Sequence, residues 1–131
     1  MANSGVICTV GQKIMLNRSY DSGASETVPS RFKVGTGTTT VTAGDTDVET
    51  VEAINGGNFK NFVTGYPTLD EANMEATIRC YLDSTEANAN LTEIGPFNTD
   101  GTEKMLSHDV FTVISKSTDD EIAFVIKNRI Y

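Results

Sequence analysis

The strongest constraint on what this chain can fold into is the two-residue rhythm of its C-terminal half. In NMEATIRCYLD, Met74, Ala76, Ile78, Cys80 and Leu82 fall on one side of an extended chain. Glu75, Thr77, Arg79 and Tyr81 fall on the other. Successive side chains of a strand point to opposite faces, so this segment has one dry face and one wet face. EIAFVIKNRIY repeats the pattern. Ile122, Phe124, Ile126 and Ile130 share a face that Asn128 interrupts, opposite Ala123, Val125, Lys127, Arg129 and Tyr131. Between these runs, NLTEIGPF and HDVFTVIS are short and β-rich. NTDGT (98–102) and STDDE (117–121) carry turn chemistry, and Asp100-Gly101 suits positive φ. The second half reads as a meander of about four strands.

The first half is less regular. GVICTVG and SRFKVG have the composition of strands, NRSYDSGASETVPS (17–30) is a polar loop, and NGG (55–57) marks a turn. Val48, Val51 and Ile54 recur every three residues, and Thr46 and Glu49 have capping-box spacing. That spacing predicts a short helix over 47–54, with a strand as the alternative. The expected fold is mainly β: a compact antiparallel β-sandwich or meander with at most one short helix and a polar N-terminal arm. Residues 1–33 form the N-terminal strand and polar arm, and 34–131 the β-rich unit. The arm (1–30) is expected to order on assembly.

A chain of 131 residues fits one domain with its own core. Its net charge of −8 repels phosphate, so neither nucleic acid nor an anionic membrane surface is an expected partner. No apolar run approaches the ~18 residues that a bilayer span needs, and MANSGVICTVGQK has no signal-peptide pattern. Cys8 and Cys80 are read as buried, reduced thiols rather than a bridge.

The stretch VGTGTTTVTAGDTDVET (34–50) invites several functional readings, and each has a structural alternative. A phosphate loop needs GxxxxGK[ST] or GxGxxG. Gly35 and Gly37 are followed by threonines, and the nearest lysine, Lys33, precedes them, so the glycines read as permitting a tight bend. Asp45, Asp47, Glu49 and Glu52 could gather on calcium, but the sixth and twelfth positions from Asp45 are Thr50 and Gly56 rather than the EF-hand glycine and glutamate. Their structural reading is as acids at a helix N-terminus. His108, the one histidine, precedes Asp109. A relay with Ser107 or Ser115 needs convergence in space, and a zinc site needs more ligands, so His108 is read as a surface or strand-edge residue. Tyr20, Tyr66, Tyr81 and Tyr131 are candidates for stacking on a glycan, with packing as the structural reading. No catalytic, cofactor-binding or metal-ligating residue is assigned, and no cofactor is expected.

The order of these stretches resembles attachment modules of tail-fibre and baseplate-associated structural proteins of tailed bacteriophages. The resemblance runs from about residue 34 to 131 through VGTGTTTVTAGDTDVE, ANLTEIGPF (a motif of the form NxxEhGhF), KMLSHDVFTVISK, STDDE and IAFVIKNRI. Pro96 stands where the module usually has an aliphatic residue, and His108 and Asp109 stand near the place where an arginine is common. The threonine link lacks prolines, and residues 1–33 are outside the resemblance. It implies a non-enzymatic virion component, an oligomeric adaptor in the tail, baseplate or fibre attachment region without a distal fibre. Its partners would be copies of itself and other phage structural proteins. A head decoration protein and a receptor- or glycan-binding β-domain are the alternatives.

Overall fold

The computed structural model describes residues 4–99 and 103–129. Asp100-Gly101, Ile130 and Tyr131 therefore lie outside the described residues. In chain order the elements are β1 (Ser4–Ile7), α1 (Thr9–Tyr20), β2 (Arg31–Gly35), β3 (Val51–Glu52), β4 (Lys60–Asn61), β5 (Thr68–Asp70), β6 (Glu75–Leu82), β7 (Asn90–Phe97), β8 (Ser107–Ser115) and β9 (Ile122–Arg129). The large sheet runs β1-β8-β7-β2-β3, with β4 also beside β2, and the small sheet runs β5-β6-β9. All pairings are antiparallel.

The four long strands of the second half form where the alternation places them, as two faces of a sandwich rather than a simple meander. β7 and β8 pair in the large sheet, while β6 and β9 pair over eight residues in the small one. The chain crosses from one sheet to the other after β6 and returns after β8. Between the sheets lies the main core: Phe32 and Val34 of β2, Ile78, Cys80 and Leu82 of β6, Leu91 and Ile94 of β7, Phe111 and Ile126. The dry face read from NMEATIRCYLD is thus the inner face of β6. Met74 precedes the strand and is exposed.

A second, smaller core lies on the far side of the large sheet, where Cys8, Val48, Phe97 and Met105 are buried with Val10, Val51 and Phe59 against them. This explains why β7 is buried at every position from Leu91 to Phe97. It is covered by the small sheet on one face and by α1 and the 36–50 loop on the other. The rim of this core is basic. The Arg31 guanidinium stands 3.8 Å from the Phe59 ring centre, and Lys33 Nζ lies 4.7 Å from Phe59 and 4.9 Å from Phe97.

Two local expectations are corrected. Residues 47–54 form no helix; they bend and then enter β3, the strand alternative. The backbone N–H groups of Glu49 and Thr50, which a helix would use internally, donate instead to the Glu93 carboxylate. The three-residue spacing arises because Val48 and Val51 anchor one core and Ile54 the other. Among the described residues the single helix is α1, in a stretch read as strand and polar loop. The 21–30 segment after it is tied to the body of the fold: Glu26 pairs with Lys104, and Asn98 Nδ2 donates to it at 3.0 Å.

Candidate functional site

The 34–50 stretch and the NLTEIGPF strand meet around one buried carboxylate. Glu93 has no solvent exposure. It sits opposite Gly35 in the β2–β7 register, and its Oε2 accepts the N–H of Gly37 at 2.6 Å and of Thr50 at 3.0 Å. Oε1 accepts the Glu49 N–H at 2.8 Å and faces His108 Nε2 at 2.8 Å. The register shift between Leu91 and Glu93 turns two successive side chains toward the loop. Thr92 Oγ1 donates to the Gly37 carbonyl at 2.5 Å while Glu93 accepts the N–H of the same residue.

The glycines are explained by close approach. A methyl group on Gly35 would lie 2.7 Å from Glu93 Oε2 and also meet the Thr50 carbonyl. One on Gly37 would collide with Glu93 Oε2 and with Glu49. Neither glycine is among those with positive φ. They permit a bend, as the sequence suggested, and in addition make room for a carboxylate.

His108 is not a surface residue; it is 4% exposed and lies between two acids. Its Nδ1 is 2.7 Å from Asp45 Oδ2, and Asp45 is itself held by the Thr42 N–H and hydroxyl, both at 2.9 Å. With an acceptor at each nitrogen, the ring is an imidazolium donating twice. Burial alone would lower its pKa, but the bonds to Glu93 and Asp45 outweigh burial and hold it above the ordinary histidine value. The same balance holds the acids low. Burial raises Glu93, but His108 and the three backbone N–H groups bring it below the usual glutamate value. Asp45 is lowered by Thr42 and His108 against the burial that opposes them.

Both ring nitrogens are occupied, so neither serves Ser107 or Ser115. Ser107 is buried with its hydroxyl unpartnered, and Ser115 ends β8 exposed. The remaining acids of the stretch do not join the cluster. Asp47 takes Lys33 Nζ at 3.0 Å, the Glu49 side chain is exposed, and Glu52 lies in β3. Among the described residues no group of three His, Cys, Asp or Glu is placed to hold a metal. Here the imidazolium is the cation that the carboxylates surround.

The aromatic candidates are scattered. Tyr20 is exposed at the end of α1, Tyr66 packs against the main core, and the Tyr81 ring takes Lys60 Nζ at 5.2 Å. Cys8 and Cys80 are both free and buried. Burial pushes the Cys8 thiol up to about 11 and raises Cys80 further. The role of Glu93 had a signal in the sequence: a lone acid among apolar residues in NLTEIGPF, two residues before a glycine. Its partners had none, because they come from residues 43 to 56 positions away, and His108 from 15.

Set against known protein families, curated proteins and solved structures, the chain matches none.

Proposed function

We propose that this chain is a non-enzymatic structural component of a tailed-phage virion, an oligomeric adaptor in the tail, baseplate or fibre attachment region. The observation that carries the reading is the Glu93 cluster. Three of the five stretches on which the resemblance rests meet there: the carboxylate of NLTEIGPF gathers the backbone of VGTGTTTVTAGDTDVE and takes its counter-charge from KMLSHDVF. The departure at His108 fits the same plan, since the position near which the module commonly has an arginine still supplies a cation to the buried acid. The adaptor works by geometry: a rigid sandwich holds its neighbours at fixed positions through buried area.

Gold-labelled antibody on intact phage particles, viewed by electron microscopy, tests this. Label at the tail end is the expected result. Label over the head would replace the adaptor with the head decoration alternative. Absence of label on both intact and disrupted particles would remove the virion reading and bring forward the glycan-binding alternative.

A further inference from the structure

The small sheet is narrower than the floor it covers. β9 is one of its two edge strands, and Phe124 of β9 packs on Phe111 of β8 with ring centres 5.3 Å apart. β9 therefore lies over β8, and among the described residues β1, the next strand of the large sheet, has no strand above it. The space beside β9 is an open cleft of about 540 Å³, floored in part by Gly5 of β1 and walled by Ile94, Phe111, Phe124 and Ile126.

Besides Thr112 and Lys127, the cleft is lined by two polar side chains that no hydrogen bond satisfies among the described residues, Asn128 and Asp109. Asn128, which interrupts the apolar face of β9, has a buried Nδ2 with no hydrogen-bond partner. Asp109 lies opposite Gly5 in the β1–β8 register, and its carboxylate occupies the place where a side chain on Gly5 would stand. No hydrogen bond reaches that carboxylate among the described residues, and burial pushes its pKa up to about 6. A third unmet need belongs to the backbone. An edge strand presents a row of N–H and C=O groups with no partner strand. An extended peptide meets two of these needs directly, a ladder for β9 and a basic side chain for Asp109.

We propose that the cleft beside β9 seats an extended segment of a partner protein as a fourth strand of the small sheet, its alternate apolar side chains filling the cleft and a lysine or arginine reaching Asp109. The inference deepens the adaptor reading and rests on it only in taking the partner for another virion chain. A second copy of this chain fits less well. Joining β9 to β9 would bring a second large sheet into the space above β1, although β9 itself carries Lys127 and Arg129.

The test is selection from a ribosome-displayed library of random peptides, about 12 residues long, against the immobilised full chain. Amide hydrogen exchange on the enriched peptides then locates their binding. Enriched peptides are expected to alternate apolar and polar residues around one lysine or arginine and to slow exchange within Ile122–Arg129. Asp109→Asn, close to isosteric, should weaken them about tenfold, the loss of one charge-assisted contact. Peptides with glutamine at the basic position should bind both proteins alike. The proposal is overturned by no enrichment over an uncoated surface, by enriched peptides without a basic residue, by protection elsewhere, or by equal binding to Asp109→Asn. Self-association abolished by Asp109→Asn would overturn the choice of partner in favour of a second copy. Gold labelling reads the virion location separately, so a particle that labels while no peptide is selected loses the seat and keeps the adaptor.

Discussion

Glu93 ties separate parts of this fold together, because three backbone N–H groups and an imidazolium depend on it. Removing one member of a buried pair leaves an uncompensated charge, so Glu93→Ala should cost about 3–5 kcal/mol in urea unfolding. Glu93→Gln keeps an acceptor oxygen and loses the charge, and should cost less. The pH dependence has two arms. His108 has a raised pKa, so its contribution is complete below pH 6.5 and is lost as pH rises through the folded-state value. Glu93 and Asp45 are held low, so theirs is present above pH 4.5 and lost as pH falls. The urea midpoint should therefore decline on both sides of mildly acidic pH, and His108→Gln should flatten the alkaline arm. Asp109 has the opposite sign. Its pKa rises from 3.8 to about 6, so stability is lost as pH increases across that window. Partial exposure screens the effect, and Asp109→Asn should gain about 1–3 kcal/mol above pH 6 and nothing below pH 3.8. Equal midpoints for the two proteins at pH 7 would contradict the burial of that carboxyl.

At the scale of the element, the glycines of the 34–50 stretch separate into two kinds. Gly35→Ala forces a methyl group onto Glu93 and the Thr50 carbonyl, Gly37→Ala onto Glu93 and the Glu49 side chain, and each should cost about 1–3 kcal/mol. Gly44 has only Thr42 Oγ1 nearby, at 3.8 Å, and its φ is not positive, so Gly44→Ala should be neutral or slightly stabilising. Thermal melts of the three variants distinguish them. The long strands were legible because each buries one face against a broad core and leaves the other wet, the arrangement that produces alternation. α1 was not legible. It buries little besides Gly11 and Ile14, leaves Leu16 and Tyr20 exposed, and begins at Cys8 without a side-chain cap. Gly11, a poor helix former, is there because the Leu106 backbone lies against it. Residues 47–54 misled for a related reason. Their apolar spacing is that of a helix, but their N–H groups are claimed by a carboxylate from another strand. A buried ion cluster assembled from β7, β8 and a loop leaves no local pattern, which is why His108 resembled a surface residue.

At the scale of the molecule, one thiol lies in each of the two cores, Cys80 between the sheets and Cys8 behind the large one. Both are fully buried with raised pKa values, so iodoacetamide should label neither in the native protein. Labelling of Cys80 should track global opening, and labelling of Cys8 any separate loosening of α1 and the 36–50 loop. Identical rates would mean that the two cores open together. The Glu93 cluster also has a bearing on time. It can close only after β7 has met both β2 and β8, because its backbone donors lie 43 to 56 positions from Glu93 and His108 lies 15 away. We predict that this closure follows the rate-limiting step, so that its energy is felt in unfolding rather than in folding. Glu93→Gln should then refold nearly as fast as the parent and unfold faster in stopped-flow measurements. The carboxylate would act as a latch, setting how long the folded molecule persists rather than how quickly it is reached.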